Sequence, residues 1–250
     1  ANLAIGFGAM QQHTTGTRNI AIGYGAMDGT GQDDSPTSTD NIFIGYDAGG
    51  GAWDDGADGT DDSNYNIGIG NYCMDAAMDG ALYNTAVGYN SSSAITTGDG
   101  NSTFGLDSGR NISSGEKNSC YGHEAGDLIT TGTNNTIIGA GSDTSANNGT
   151  NQTVIGYTAT GQQNNSVVLG NANVTDVFMG QDSGALVNCS GVVFPATQVA
   201  SGGANCLDDY EEGDWTPVLA DTSGNNATMH IDTGGAYVKI GRQVTLTAML

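Results

Sequence analysis

Basic side chains are nearly absent: five Lys and Arg stand against 27 Asp and Glu, a formal charge of −22 over 250 residues. A groove built to hold phosphates needs the opposite sign, so nucleic-acid binding is not expected, and partners should be neutral, cationic or metallic. Apolar residues are also scarce, at 37% of the chain, a poor supply for the core of an ordinary enzyme. The longest apolar runs fall far short of a bilayer span, so no membrane insertion is expected. Three prolines, and 41 glycines without a G-X-Y period, exclude collagen. The four cysteines, Cys73, Cys120, Cys189 and Cys206, include no closely spaced metal-ligand pair. The chain begins at Ala1 without an initiator methionine or a basic and apolar leader, and stops at Leu250 inside an alternating apolar pattern. It therefore reads as a stretch of a longer protein.

What is present is a repeat. Asn, a variable residue, two mostly apolar residues and Gly recur at Asn2–Gly6, Asn19–Gly23, Asn41–Gly45, Asn66–Gly70, Asn84–Gly88, Asn101–Gly105, Asn118–Gly122 and Asn135–Gly139, with degenerate copies ending at Gly156, Gly170 and Gly180. The glycine spacings are 17, 22, 25, 18, 17, 17, 17, 17, 14 and 10 residues, so a unit of 17 is the ground state and two early units carry insertions. A second mark lies within the unit: Thr15-Gly16, Thr97-Gly98, Ser114-Gly115 and Thr131-Gly132, with Asn148-Gly149 in the same place. Each unit offers one very short strand, such as Ile20-Ala21-Ile22, that cannot bury its own apolar face. Stacked units share a continuous core, so the predicted fold is all-β, a β-solenoid or β-roll of about 17-residue coils over residues 1–185. About ten coils at ~4.8 Å per strand would make a stack on the order of 50 Å long.

Alternation places Ile5, Ile22, Ile44, Ile69, Val87, Phe104, Tyr121, Ile138 and Ile155 in one column, with Ala4 and Ala21 facing the other way, where small side chains would admit another layer or chain. The leading Asn is suited to bond its own backbone or to ladder with the Asn one coil away, and the closing Gly to a turn with positive φ. The structural repeat residues are thus Asn19, Gly23, Asn84, Gly88, Asn101, Gly105, Asn118, Gly122, Asn135 and Gly139.

After residue 185 the pattern changes. Residues 186–206 read as a junction, and residues 207–250 as the opening of a β-sandwich-like module, with two antiparallel strands joined at Gly241.

These residues carry a resemblance. The Asn-x-Ala-Ile-Gly-Tyr-x-Ala units resemble the head repeats of trimeric autotransporter adhesins. The stretch from Gly191 through Leu219, with Gly-Val-Val-Phe-Pro-Ala and Leu-Asp-Asp-Tyr-Glu-Glu-Gly-Asp-Trp-Thr-Pro, looks like a junction of bacteriophage tail-fibre and appendage proteins, and Gly235 to Arg242 resembles the first hairpin of the domain that follows there. The resemblance implies an intertwined or side-by-side homotrimer in a tail or capsid fibre of a virion. It also implies contacts with other virion proteins and a distal surface for a host glycan or outer-membrane receptor. The alternative is a bacterial cell-surface trimeric adhesin.

Candidate chemistry is sparse. The inserts hold Asp33-Asp34 and the cluster Asp54, Asp55, Asp58, Asp61 and Asp62 beside Trp53. Their ordinary reading is a solvated acidic loop; the alternatives are a Ca²⁺ site with oxygen ligands or an aromatic platform for a sugar. His13, His123 and His230 are far apart, and His123 falls in the slot of Tyr24, Tyr46, Tyr89 and Tyr157, as a roll residue rather than a base. Asp208-Asp209 and Glu211-Glu212 are adjacent pairs that a strand would turn to opposite faces, so no glycosidase pair and no catalysis are expected. Cys73 and Cys120 read as small buried or semi-exposed residues, and a Cys189–Cys206 bridge stays open.

Overall fold

The computed structural model describes residues 1–30, 37–53 and 62–177, together with the backbone of three strands nearer the C-terminus. The chain divides into two compact units, Ala1–Phe178 and Met179–Leu250.

The first unit is a parallel β-solenoid. Its strands are β1 (Leu3–Ile5), β2 (Ile20–Ile22), β3 (Ile42–Ile44), β4 (Ile67–Ile69), β5 (Thr85–Val87), β6 (Ser102–Phe104), β7 (Ser119–Tyr121), β8 (Thr136–Ile138), β9 (Gln152–Ile155) and β10 (Ser166–Leu169). They form one ten-stranded sheet in sequence order, each strand parallel to the next. The register puts Asn-headed units directly above one another, so that Ala21 pairs with Phe43 and Ile22 with Ile44 despite the 22-residue spacing. Insertions leave the register untouched because they enter after the strand has turned. No helix occurs among the described residues.

Each strand is short because both ends are fixed by the repeat. At the far end Gly6, Gly23, Gly45, Gly70, Gly88, Gly105, Gly122, Gly139 and Gly156 hold φ between +133° and +149°. From Gly6 to Gly139, a Cβ at these positions would lie 2.0–2.8 Å from the carbonyl of the corresponding glycine one coil on. Only glycine allows both that backbone and that approach.

At the near end the asparagines form a buried ladder. The Asn101 Oδ1 accepts the backbone N–H of Asn118 at 3.0 Å and its Nδ2–H at 3.0 Å. The Asn101 Nδ2 in turn donates to Asn84 Oδ1 at 3.1 Å and to the Gly115 carbonyl at 2.8 Å. Asn84, Asn118 and Asn135 donate in the same way to the carbonyls of Gly98, Gly132 and Gly149. The second glycine, in the units that carry one, is thereby accounted for: its carbonyl receives the asparagine amide, a role that the carbonyls of Ser38, Ser63 and Ala81 take for Asn19, Asn41 and Asn66. A Cβ at Gly98, Gly115 or Gly132 would come within 2.4–2.6 Å of the next coil's carbonyl. Gln152 ends the series, its longer side chain accepting the Ser145 N–H at 3.0 Å and donating to Ser145 Oγ and Asn164 Oδ1 at 2.8 and 3.2 Å.

The middle residue of each strand points inward. Ala21, Phe43, Ala86, Thr103, Cys120, Ile137 and Val154 are fully buried there, opposite Ala26, Ala48, Cys73, Ser91, Ser108, Ala125 and Ala159, with Met78, Ile95, Ile112 and Ile129 completing the interior. The face that Ala21 occupies is therefore the interior of the coil itself, and the layer it meets is the same chain's returning segment. Two apolar clusters result, one from Ala21 to Ile95 and one from Ile112 to Ala159. Between them the interior is hydroxylic: Thr103 Oγ1 lies 2.7 Å from Ser91 Oγ and 2.8 Å from Ser92 Oγ, and Ser108 Oγ donates to the Cys120 carbonyl at 2.9 Å. Buried hydroxyls are tolerated because each is bonded.

In the second unit, β11 (Tyr210–Trp215), β12 (Gly234–Ile240) and β13 (Gln243–Met249) form an antiparallel sheet in that order. The hairpin expected around Gly241 is present, with Ile240 opposite Gln243. The pairing of β11 with β12, Gly213 opposite Tyr237, was not read from the sequence, because Tyr210 to Trp215 lacks an apolar alternation.

Gly105→Ala places a methyl 2.4 Å from the Gly122 carbonyl at φ +138°. The expected loss is about 2–4 kcal/mol, or a Tm drop of ~5–15 °C for a chain of this size. Asn101→Ala strands the buried Asn118 amides and should cost about 2–5 kcal/mol. The exposed Ser114→Ala should change stability by no more than about 0.5 kcal/mol. Circular-dichroism melts of the three variants check the ranking.

Candidate functional site

With the middle residue of every strand turned inward, the two flanking residues face outward, and the parallel register lines them up as columns. One column runs Leu3, Ile20, Ile42, Ile67, Thr85, Ser102, Ser119, Thr136, Thr153 and Val167; the other runs Ile5, Ile22, Ile44, Ile69, Val87, Phe104, Tyr121, Ile138, Ile155 and Leu169. The second column is the one read from the sequence. It is apolar on every strand, yet Ile5 is 53% exposed, and Ile69, Phe104, Tyr121, Ile138 and Ile155 are 37–39% exposed. Nine inter-strand steps of ~4.8 Å carry this stripe over about 43 Å.

An aromatic ladder runs beside it, on the residues that follow the strand-closing glycines. Phe7 and Tyr24 stack at 5.4 Å between ring centroids, and Tyr24 and Tyr46 at 5.1 Å with planes 5° apart. Tyr46 to Tyr72 and Tyr72 to Tyr89 continue edge-to-face at 5.3 and 5.7 Å. Tyr72 joins one residue late, because coil four places Asn71 directly after its glycine. Phe104 and Tyr121 stack at 5.1 Å within the apolar column, and Tyr65 and Tyr83 at 5.2 Å at the ends of their coils. Such spacings are favourable for aromatic pairs. In the stacked pairs the ring faces are turned to one another and the edges to solvent, a surface suited to apolar packing rather than to a sugar lying flat on an open ring.

The residues singled out in the sequence separate clearly. Asn19, Asn84, Asn101, Asn118 and Asn135 are buried at the strand starts, and Gly23, Gly88, Gly105, Gly122 and Gly139 close the strands with positive φ. Of the acidic cluster, Asp54, Asp55, Asp58 and Asp61 lie outside the described residues, as do Asp33 and Asp34. Asp62 is described, and its carboxylate accepts from the backbone N–H and the hydroxyl of Thr37, one coil back. Trp53 is 1% exposed and packs edge-on against Phe43 at 5.6 Å. The sugar-platform reading of that residue is therefore corrected: the solenoid draws the indole inward to fill space that the small residues of neighbouring coils leave open. His13 bonds Thr30 at 3.0 Å, His123 is exposed in the aromatic slot, and His230, Asp208, Asp209, Cys189 and Cys206 lie outside the described residues. Glu211 and Glu212 are adjacent in the sequence of β11.

Electrostatics sharpen the picture of a carboxylate-rich surface. The Arg18 guanidinium bonds both oxygens of Asp40, at 2.6 and 2.7 Å, and holds that carboxyl below its usual range. Arg110 bonds Asp127 at 2.9 Å. Asp143, half-buried and beside the Asp127 carboxyl, is pushed up to about 7, chiefly by burial and then by that neighbour, although the backbone N–H groups of Leu128 and Thr144 donate to it. Burial raises Asp47 and Asp75, and the negative charges of Asp28 and Asp47, respectively, add to the rise. Cys73 and Cys120 are free and fully buried, as expected, and burial raises both thiols.

The sequence reading missed the continuous outer ladder and the carboxyl pair Asp127–Asp143. The ladder was half visible in the recurrent tyrosine slot. The carboxyl pair needs the register of neighbouring coils, since 16 residues separate its members. No protein-family model matches the chain, and no curated protein does.

Two outcomes follow from the buried groups. A carboxyl raised in the folded state keeps its proton where the unfolded chain has lost one, so its stabilising effect is present below about pH 4 and fades as pH rises towards 7. Asp143→Asn removes the titrating group, so its Tm relative to the native protein should rise between pH 4.5 and pH 8. Cys73 and Cys120 should resist a thiol reagent in the folded chain and react on denaturation, as followed by absorbance and peptide mapping.

Proposed function

We propose that the chain is a structural subunit of an elongated, homotrimeric fibre on a phage virion, giving reach and contributing to adhesion to the host surface. The observation that carries this reading is the outward stripe: an apolar column repeated on ten successive strands, flanked by stacked aromatic rings and left solvent-exposed in a single chain. A contiguous exposed apolar surface of this length marks an interaction site. A stripe that follows the stacking axis is best covered by an object of equal length and period, which a second and third copy of the same coil supply. The buried, ladder-bonded interior supports a role in rigidity and reach. The high negative charge, −22, suits a surface appendage that stays soluble and sheds anionic polymers.

Receptor contact is assigned to the insertions after coils two and three and to the second unit, because loops tolerate variation without disturbing the register beneath them. The resemblance to phage appendage junctions, carried by Gly191 to Leu219, favours a virion over a cell envelope. A bacterial trimeric adhesin is the second reading, favoured by the head-repeat character of the coils.

Immunogold microscopy of the native source, with an antibody against residues 1–178, separates the two. Label on filaments projecting from virus particles is the expected result, and label confined to cell envelopes contradicts the virion. Sedimentation of the purified chain tests the assembly: a mass near three times the 25.3 kDa monomer is expected. A Tyr46→Glu, Ile44→Lys double variant should shift that mass towards the monomer while leaving the β-sheet spectrum in place.

A further inference from the structure

Among the described residues, one set of three metal-ligating side chains converges: Asp107, His123 and Glu124 each place a ligand atom within 4.8 Å of the other two. The set includes an imidazole, which separates it from the acidic columns Asp28, Asp47 and Asp75, where no such convergence of three ligand atoms occurs. Two successive coils build it. Asp107 and Glu124 occupy the same position one coil apart, and their backbone N–H groups donate to the Tyr89 and Leu106 carbonyls at 3.0 and 2.9 Å, which ties both residues to the rigid stack.

His123 takes the rung that carries tyrosine in other coils, and the next coil places only Ala140 there, so nothing large covers that side of the ring. Its Nδ1 lies 3.9 Å from a Glu124 carboxylate oxygen. Asn90 donates to Asp107 Oδ1 at 2.6 Å, which orients that carboxylate. A hydrogen-bonded carboxylate of this kind is the usual support for a metal ligand.

The ligand set decides the ion. One nitrogen and two carboxylate oxygens suit Zn²⁺ and its borderline neighbours, whereas Ca²⁺ takes six or more oxygens and gains little from imidazole. Four-coordinate zinc at ~2.0–2.1 Å separates its ligands by about 3.4 Å, so the 3.9 Å pair needs only a small side-chain rotation to close. The chain's net charge of −22 raises the local concentration of any divalent cation. We propose that Asp107, His123 and Glu124 form a binding site for a zinc-class divalent ion, with the remaining coordination position filled by water. The proposal does not rest on the fibre reading.

The test uses the whole chain, stripped with chelator and titrated with ZnCl₂ by calorimetry, with CoCl₂ absorption as a report of imidazole and carboxylate ligation. One saturable site per chain is expected. His123→Gln and Asp107→Asn, both conservative changes at solvent-accessible side chains, should each weaken it by about tenfold or more, with circular dichroism confirming that the solenoid is intact. A tenfold excess of CaCl₂ should leave it occupied. Saturable binding that is unchanged in both variants would place the ion elsewhere, and an absence of saturable binding would show diffuse condensation on an acidic surface; either overturns the site. Displacement by Ca²⁺ at comparable concentration would overturn the zinc-class assignment.

Discussion

A single asparagine amide, repeated once per coil and buried, is the interaction on which this structure depends. Its oxygen closes the backbone of the following strand, and its nitrogen reaches a backbone carbonyl on the opposite side of the coil, with a second bond to the preceding asparagine at Asn41, Asn84, Asn101, Asn118 and Asn135. One side chain thus sets the spacing between coils, the cross-section of each coil and the point where the strand begins. The strand-closing glycine completes the constraint, since no other residue fits a left-handed turn 2.4 Å from the next coil's carbonyl. A chain with few apolar residues can hold a fold on these terms because much of its specification is hydrogen-bonded. The hydroxyl-lined interior around Thr103, between two modest apolar clusters, follows from the same economy.

That constraint also decides what the surface looks like. Fixing three-residue strands in exact register forces their outer side chains into straight columns, so whatever residue type recurs becomes a stripe. In this chain the recurring type is isoleucine, valine or an aromatic, and the stripe is apolar from Ile5 to Leu169. Insertions, by contrast, emerge where register is already secured, as the bond from Asp62 back to Thr37 across its coil illustrates.

Much of the fold was legible because it is written as a period. The Asn and Gly spacing gave the coils, the register through two insertions, and the Ile5 to Ile155 column. The sequence did not reveal which face of each strand was interior, because alternating Ile and Ala look equally apolar; the tie is broken only by the asparagine and glycine contacts that curl the coil towards Ala21. Trp53 illustrates a related limit. Its acidic neighbours in the sequence suggested an exposed ring, while its neighbours in space are Phe43 and the small residues of the stack. Groups that meet across coils, such as Asp107 with Glu124 or Asp127 with Asp143, are 16 or 17 residues apart and become visible only once the period is applied to charged positions as well as apolar ones.

The most direct test of the account is side-chain amide hydrogen exchange measured by NMR on the labelled chain. If the ladder carries the fold, the Nδ2 protons of Asn41, Asn66, Asn84, Asn101, Asn118 and Asn135 exchange orders of magnitude more slowly than those of exposed Asn148. Exchange of the ladder amides at the rate of Asn148 would contradict it, and with it the stacked solenoid on which the outward stripe depends.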